Sequence, residues 1–464
     1  MFSQDGLRAN RLLRFMLVTS VVLAAFVAGA ALNIVAAEDP ELSGNLPGEE
    51  STAITSAATF TKNLSGRVYV WDQGRLRPAS QARVSTGIAV VRTDSSGRFE
   101  FAPDQRSGSL AIIQPGYDTV RRPIYYDQTV VVLRNLVVRA VYIPFAQVLN
   151  ESVQNYVHEL VDADLINAVV IDLKDESGQV FSLAATPIVR QIGAAYNSEA
   201  VTPFLESLED KGVYRIGRIV TFLDRWYARW FPGNALHDVN GGLFIDDMGS
   251  AWSSAYSPEA RRYNVDIGVA AAGYVDEIQY DYVRLPYERN LRERGQYSEA
   301  GRVAAINSFA REASEALHLA GLAVSFDTFG VVSTAGNDQG IGQSVEGVAP
   351  YLDYVSPMVY PSGWSPGSFG FAYPPEHPGP VVRMNVEATV ERIGEHGSAL
   401  VRPWLQDFHD YQARGLGYYS EEVHAQIEAT ATAGGIGFML WDPSLQYERG
   451  ALELALSLTW SPFG

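Results

Sequence analysis

Residues 275–286 read Val-Asp-Glu-Ile-Gln-Tyr-Asp-Tyr-Val-Arg-Leu-Pro, a run in which apolar and polar side chains alternate and which ends at a proline. This pattern predicts a β-strand, because side chains point to opposite faces of a strand at successive residues. Glu277, Gln279 and Asp281 therefore share one face, and the residues between them share the other. We expect a helix layer to cover the apolar face, so that the polar face points into the centre of a closed sheet.

Seven further β-branched or aromatic runs lie in the second part of the chain, separated by amphipathic stretches of 10–20 residues with helical periodicity. Eight strand–helix units in about 325 residues are typical of a (β/α)8 TIM barrel. The alternative is six units in an open doubly wound sheet. We predict an α/β fold with a TIM barrel over residues 136–464, and its other seven strands at 137–145, 168–173, 215–223, 323–329, 351–359, 400–406 and 435–441.

Residues 63–135 show a different pattern, in which short alternating runs are separated by turn residues at roughly ten-residue spacing. This spacing predicts a small all-β sandwich. The pieces 65–68, 78–84 and 93–99 resemble the carboxypeptidase-regulatory, transthyretin-like sandwich family. The resemblance implies a fold and no chemistry. It favours a spacer or stabilising module, with glycan or surface binding as the alternative.

The N-terminus carries Arg8, Arg11 and Arg14 before the apolar run Phe15–Ala37. About 20 such residues suffice to span a bilayer, and flanking arginines stay on the cytoplasmic side. We interpret residues 1–37 as a membrane anchor; a cleaved signal peptide is the alternative. Residues 38–62 are predicted to be a flexible linker. Both interpretations predict an extracytoplasmic protein, which is membrane-anchored if the segment is uncleaved and secreted if it is cleaved.

The overall composition excludes several classes of function. The chain has 464 residues, of which 53 are acidic and 35 basic, a net charge of −18. Proteins that bind duplex nucleic acid need a basic surface, so no nucleic-acid partner is expected. There is no cysteine, and the seven histidines lack the spacing of a zinc hydrolase. We therefore predict no metal and no cofactor.

Carboxylates close several of the predicted barrel strands, the position where TIM barrels carry their functional residues. Asp172, Asp281 and Asp327 are the predicted catalytic residues, because a buried charge is costly unless it is paired or used. Asp224 and Asp442 also follow strands, and we interpret these two as caps.

Four separate blocks of the barrel region, 168–175, 276–284, 356–362 and 402–408, resemble a bacterial family of glycoside-hydrolase-like TIM barrels. The resemblance covers nearly all of residues 137–445 and implies hydrolysis of glycosidic bonds. The fourth strand also resembles that of the α-amylase-like barrels, with Asp276, Gln279 and Asp281 in register. Gln279 stands there in place of a basic residue. The positive charge that keeps Asp281 ionised must therefore come from a basic side chain elsewhere in the chain.

Glycosidases need two carboxyl groups at the scissile bond, one ionised and one protonated. Asp281 is the predicted nucleophile or base. The acid is Asp327, Asp172 or Asp175, in that order of preference. Like charges this close cannot all stay ionised. We therefore expect a salt bridge from Lys174 or Arg284 to one of them, and a raised pKa on at least one carboxyl.

Sugar rings stack on aromatic faces while their hydroxyls bond to polar groups. Six tryptophans lie in or after the predicted strand ends, at positions 226, 230, 252, 364, 404 and 441. From these and the polar strand ends we predict the substrate-binding residues Lys174, Asp175, Gln279, Arg284, Tyr360, Trp364, Trp404, Gln406 and Trp441.

The leading functional hypothesis is an extracytoplasmic glycoside hydrolase whose substrate is a polysaccharide or a cell-envelope glycan. The alternative is a catalytically inactive carbohydrate-binding or envelope-scaffold protein on the same barrel. A barrel hydrolase or lyase of another kind is the third hypothesis. The membrane is a further predicted partner, through the N-terminal helix if this stays uncleaved.

Overall fold

The computed structural model describes residues 60–460 except 73, 289 and 413. The predicted anchor or signal segment at 1–37 lies outside the described residues, as does the linker up to residue 59. Within the described part of the chain, none of the helices has the length and apolar character needed to cross a membrane.

Two four-stranded sheets occupy the first part of the described chain. The first has the order β2-β1-β5 with β8 on the other side of β1, and the second has the order β4-β3-β6-β7. The strands are β1 (Leu64–Asp72), β2 (Arg75–Pro78), β3 (Arg83–Ser85), β4 (Val90–Arg92), β5 (Arg98–Phe101), β6 (Ser109–Ile113), β7 (Val120–Pro123) and β8 (Gln128–Arg134).

Both sheets contribute to one apolar core, which includes Val68 and Phe101 from the first sheet and Val84 and Ile112 from the second. This is the arrangement that a β-sandwich requires. The sequence pattern does not predict β2, β3 or β7, because these strands are short and rich in arginine. Membership of the carboxypeptidase-regulatory-like family and the domain boundaries stay predictions.

In the part of the chain that follows the two sheets, eight parallel strands close into a barrel. Their order is β9-β10-β13-β14-β15-β16-β18-β19, and β9 pairs with both β19 and β10. The predicted barrel is therefore confirmed, and the open sheet is excluded. The strands are β9 (Val138–Ile143), β10 (Ala168–Lys174), β13 (Tyr214–Val220), β14 (Glu277–Asp281), β15 (Ala323–Phe329), β16 (Tyr354–Met358), β17 (Leu400–Val401) with β18 (Trp404–Gln406), and β19 (Gly437–Trp441).

Helices follow the barrel strands, and a short ribbon of β11 (Val180–Phe181) and β12 (Ala195–Tyr196) extends β10. The described helices are α1 (Glu151–Asp162), α2 (Pro187–Gln191), α3 (Val201–Asp210), α4 (Arg225–Trp230), α5 (Pro258–Ala270), α6 (Arg292–Gln296), α7 (Glu299–Leu319), α8 (Gly330–Thr334), α9 (Val345–Val348), α10 (Pro378–Ile393), α11 (Ser420–Thr432) and α12 (Arg449–Ala455).

The barrel interior is polar along β14, as the alternation predicts. Glu277 accepts hydrogen bonds from Tyr214, Ser325 and Arg402 deep in the barrel, while the intervening Ile278 packs in the core between strands and helices. Because Glu277 and Arg402 are both fully buried, each compensates the desolvation of the other. The polar face of β14 therefore leads up the inside of the barrel to Asp281.

The second sheet of the sandwich packs against the N-terminal end of the barrel. Arg83 of β3 forms a buried ion pair with Asp353, which directly precedes β16, and Arg121 of β7 contacts Asp276 before β14 at 2.6 Å. His318 also bonds to Asp353. Burial would raise the pKa of Asp353, but Arg83 and His318 bring it below its usual range. The second sheet thus covers the bottom of the barrel, and the carboxyl ends of the strands lie at the opposite face, the mouth of the barrel.

Candidate active site

An arginine on β13 connects three carboxylates at the mouth of the barrel. The Nη1 atom of Arg218 donates to Asp172 Oδ1 at 2.6 Å, and Nη2 contacts Asp281 Oδ2 at 2.7 Å and Glu176 Oε1 at 2.9 Å. Burial alone would lower the pKa of Arg218, but Asp172 and the other negative groups raise it well above its usual range. Arg218 is therefore a fixed positive charge, and it binds Asp172 and Asp281 at the same time.

Asp281 is the last residue of β14 and is 8% exposed. Its Oδ2 atom accepts from both Nε and Nη2 of Arg218, and its Oδ1 atom accepts from the backbone N–H of Tyr282 at 2.5 Å. Tyr282 has a φ of +50°, which is strained for a residue with a side chain. The turn after β14 thus orients a carboxylate that is ion-paired and still reaches solvent.

Asp327 lies on β15, beside Asp281. The register pairs Gln279 with Ser325, so the two aspartates, each two residues further on, occupy neighbouring positions on strands about 4.8 Å apart. Burial raises the pKa of Asp327 well above its usual range, and the charge of Asp281 raises it further, while Arg218 opposes both effects. Asp327 therefore holds a proton more strongly than an ordinary carboxyl.

The two oxygens of Asp327 have different surroundings. Oδ1 accepts from the indole N–H of Trp404 at 2.7 Å, whereas Oδ2 is buried without a hydrogen-bond partner among the described residues. A buried polar atom without a partner is costly, so such an atom in a strand-end cluster indicates a functional group. Oδ2 is the oxygen on which we expect the proton.

Asp172 is 1% exposed, less than Asp281, and protein groups bind both of its oxygens. Oδ2 accepts from the Tyr142 hydroxyl at 2.6 Å and from the Phe145 N–H at 3.2 Å, and Oδ1 is bound to Arg218. Burial and the charge of Glu176 raise the pKa of Asp172 to about 7, although Arg218 lowers it. These contacts are those of a residue that positions Arg218.

An aromatic wall, formed by Tyr360, Phe408 and Trp441, stands at the ends of strands β16, β18 and β19. The ring centroids are 5.4 Å apart for Tyr360 and Trp441, and 5.0 Å apart for Phe408 and Trp441. All three side chains are partly exposed. The strand that precedes Tyr360, β16, pairs with β15, the strand that carries Asp327, so the wall begins next to the carboxyl pair.

Comparison with known proteins shows the family. The model of the DUF4015 family, described as "Putative glycosyl hydrolase domain", matches residues 140–447, from within β9 to beyond β19. The chain belongs to this family. The membership supports the enzyme class predicted from the sequence, a glycosidase, and carbohydrates in general as substrates. No curated protein matches the sequence.

Solved structures are similar to parts of the chain. A hypothetical protein from Ruminiclostridium thermocellum is 30% identical, covering 40% of this chain and 96% of that one, with a TM-score of 0.37. The PgaB (BpsB) glycoside hydrolase domain from Bordetella bronchiseptica is 15% identical over 70% of this chain and 100% of that one, with a TM-score of 0.49. A chitinase from Chromobacterium violaceum is 14% identical over 69% and 100%, with a TM-score of 0.41.

The predicted salt bridge from Lys174 to the carboxyl cluster is wrong. The pairing of β10 with β13 shifts register between Asp172 and Lys174, so the strict alternation of faces ends there. Lys174 instead points into the layer between strands and helices, where Nζ contacts Asp224 Oδ2 at 2.7 Å and Asn264 Oδ1 at 2.8 Å. It is fully buried and does not line the mouth.

Arg284 does not supply the cation either. Its guanidinium carbon lies 5.0 Å from the ring centroids of Trp252 and Tyr282 and 4.8 Å from that of Phe329. Burial lowers the pKa of Arg284, and the surrounding rings and acids only partly oppose this. The residue stabilises the loop after β14 by cation–π contacts and does not form the predicted salt bridge.

Three other predicted substrate-binding side chains are committed to protein contacts. Gln279 is buried below the mouth, and its Nε2 atom donates to Ser356 Oγ at 3.3 Å. Gln406 bonds through both ends of its amide to Ser362, which fixes the loop after β16. Trp364 is buried in a small apolar cluster with Val381 of α10. Of the predicted binding residues, Tyr360, Trp404 and Trp441 do lie at the mouth.

The two predicted caps and Asp175 bind backbone N–H groups that follow them in the chain. Asp224 accepts from the Tyr227 N–H at the start of α4, which confirms a helix cap. Asp442 accepts from the N–H groups of residues 444 and 446, so it caps a turn and not a helix. Asp175 does the same for residues 177 and 179. Burial raises its pKa to about 6.

Sequence reasoning missed Arg218, Glu176 and Phe408. The alternation that predicts which residues of β14 point into the barrel also applies to β13. There Tyr214, Ile216 and Arg218 share the inner face. Arg218 could thus have been found by the same rule. Glu176 follows the register shift, and Phe408 follows a strand in a loop, so no periodic signal points to them.

Proposed function

We propose that this protein is a glycoside hydrolase in which Asp281 is the nucleophile and Asp327 is the general acid and base. The observation that carries the proposal is the unlike environment of these two neighbouring carboxyls. Asp281 is ion-paired to Arg218, while Asp327 is buried with one unpartnered oxygen and a raised pKa. Two carboxyls with opposite protonation states are what glycosidic bond cleavage uses.

In the first step, a carboxylate oxygen of Asp281 attacks the anomeric carbon while Asp327 gives its proton to the glycosidic oxygen. The bond between that oxygen and the anomeric carbon breaks, and the alcohol leaves. In the second step, water attacks the anomeric carbon, Asp327 takes a proton from this water, and Asp281 is released. The short strand-to-strand spacing of the two residues favours this double displacement with retention of configuration.

The aromatic wall provides a binding surface for a sugar ring next to the carboxyl pair. Tyr360 and Trp441 present partly exposed rings on one side of the mouth, and ring C–H faces stack on such surfaces. A cavity of about 610 Å³ lies on the same end of the barrel between the loops after β9 and β19, lined by Tyr156, Tyr447 and Glu448. Neither the carboxyl pair nor the aromatic wall lines this cavity, so we assign to it only sugar units of a polysaccharide or a cell-envelope glycan beyond the one that is cleaved.

Incubation with a panel of polysaccharides and cell-envelope glycans tests the proposal through the appearance of new reducing ends. The proton NMR spectrum of the first product then reports the anomeric configuration, and we expect retention. Binding of a glycan without any new reducing end, by a protein that is folded, would favour the inactive carbohydrate-binding alternative.

Asp327→Asn tests the assignment of the acid through the pH profile. A general acid must be protonated, so the activity of the unmodified enzyme should fall as the pH rises through the raised pKa of Asp327. Asn carries no titrating proton, so this alkaline limb should disappear and the rate should fall about a hundredfold or more. The loss should be smaller on an aryl glycoside, whose leaving group needs little protonation. An unchanged alkaline limb would assign the acid to another residue.

We also propose that the sandwich and the barrel lie outside the cytoplasm, on the strength of the arginines and the apolar run at residues 8–37. Protease added to intact spheroplasts should then digest both domains. Full protection of both domains would contradict this location.

A further inference from the structure

The outer face of the first sandwich sheet carries an apolar patch. On β1, Tyr69 and Trp71 point away from the core, next to Val132 and Leu76 on the neighbouring strands. Trp71 is 49% exposed, Leu76 is 52% exposed and Val132 is 42% exposed. Large apolar side chains grouped in this way are unusual on a protein surface and mark an interaction site.

Two further aromatic side chains stand at one edge of this sheet. Tyr125 and Tyr126, in the turn between β7 and β8, are 79% and 77% exposed. The adjacent Asp127 accepts the Ser65 N–H through its backbone carbonyl, and Lys62 reaches its carboxylate at 3.9 Å. The exposed tyrosines therefore lie beside the point where the chain enters the sandwich from the N-terminal linker.

The charge of this module differs from that of the rest of the protein. Residues 63–135 contain ten arginines and six acidic residues, a net charge of +4, whereas residues 136–464 contain 21 basic and 41 acidic residues, a net charge of −20. Three of these arginines, Arg67, Arg98 and Arg134, are exposed on the same outer face as the apolar patch. Glu100 also lies on this face, which is therefore apolar and carries more positive than negative side chains.

The outer face of the first sheet is directed away from the barrel. The second sheet of the sandwich is the one bound to the barrel, through Arg83 and Arg121, so the first sheet points away from the barrel. The mouth with its carboxyls lies at the far end of the barrel. A flat surface against the outer face would therefore leave the mouth directed away from that surface.

We propose that the outer face and the Tyr125–Tyr126 turn rest on the surface of an anionic lipid bilayer. Tyrosine and tryptophan are enriched at the boundary between headgroups and acyl chains, and arginines near an anionic membrane are attracted to it. Arg67 and Arg134 stand next to the Tyr69 and Trp71 rings on this face, so apolar surface and positive charge occur side by side there. The proposal rests on the proposed extracytoplasmic location of these domains, and it does not depend on glycosidase activity.

A vesicle sedimentation assay with residues 60–464 tests this surface without the tether. Both apolar cores are built from residues between Leu64 and Ala455, so this fragment contains them in full. We expect binding to vesicles of equal parts phosphatidylglycerol and phosphatidylcholine, weaker binding at higher salt, and at least tenfold weaker binding to pure phosphatidylcholine.

The variant with Trp71→Ser, Tyr125→Ser and Tyr126→Ser should bind the anionic vesicles at least tenfold more weakly. Trp230→Ser with Tyr419→Ser is the matched control, because these rings are 53% and 60% exposed on the barrel. A second variant, Arg67→Ser with Arg98→Ser, should bind the anionic vesicles more weakly. The binding that remains should depend less on the salt concentration. Equal binding to both vesicle types, an unaffected triple variant, or binding to a soluble glycan alone would overturn the proposal.

Discussion

Asp281→Asn should reduce glycan hydrolysis by about a thousandfold or more while leaving the fold intact. Asn is nearly isosteric with Asp, and its one carbonyl oxygen can still accept either from the Tyr282 N–H or from Arg218. It cannot, however, form a glycosyl ester or compensate the positive charge that develops on the sugar. Initial rates of reducing-end release, measured with the glycan that the panel identifies, provide the measurement.

Two comparison variants make this result specific. Asp162→Asn, on the outer helix α1, makes the same chemical change where only Lys211 is its partner, and should leave the rate unchanged. Asp172→Asn should give an intermediate loss, because Asp172 positions Arg218 and does not react. A fully active Asp281→Asn protein, or an Asp172→Asn protein that is the less active of the two, would contradict the assignment of the nucleophile.

Arg218→Met should lower the free energy of unfolding by about 3–5 kcal/mol near neutral pH, because it leaves buried carboxylates without their cation. Asp172 is 1% exposed and Asp281 is 8% exposed, so neither can recover full hydration in the folded state. Activity should be lost as well, since Asp281 would lose its ion pair and its orientation. Urea-induced unfolding measures the first effect.

The pH dependence of this variant distinguishes loss of charge from loss of packing. Burial and Glu176 raise the pKa of Asp172 to about 7 even with Arg218 opposing them, so removal of Arg218 should raise it further. The folded variant then binds a proton more tightly than the unfolded chain, and its stability should rise as the pH falls. The deficit relative to the unmodified protein should thus be largest above pH 7 and shrink towards pH 5.

Arg139→Met is the control for this stability measurement. Arg139 also lies on a barrel strand, but its partner Asp164 is 85% exposed, and such a surface pair contributes at most about 1 kcal/mol. An Arg218→Met protein no less stable than Arg139→Met, or a deficit that is independent of pH, would show that the carboxylates do not depend on the guanidinium.

The sequence was sufficient for everything that depends on local periodicity. Alternation along 275–286 placed Glu277, Gln279 and Asp281 inside the barrel, and the spacing of eight apolar runs predicted its strands to within a few residues. The strand ends also indicated Asp281 and Asp327 as a pair, because carboxyl ends of parallel strands meet at one face. A period of two residues survives in any strand that is regular and buried.

Tertiary structure alone decided which charge meets which carboxylate. A register shift after Asp172 turned Lys174 to the helix layer, and closure of the barrel placed Arg218 of β13 between Asp172 and Asp281. It also decided that the sandwich closes the end of the barrel opposite the carboxyls. Periodicity describes one strand at a time, whereas register, bulges and the docking of domains are set by the packing of segments far apart in the chain, which no local pattern records.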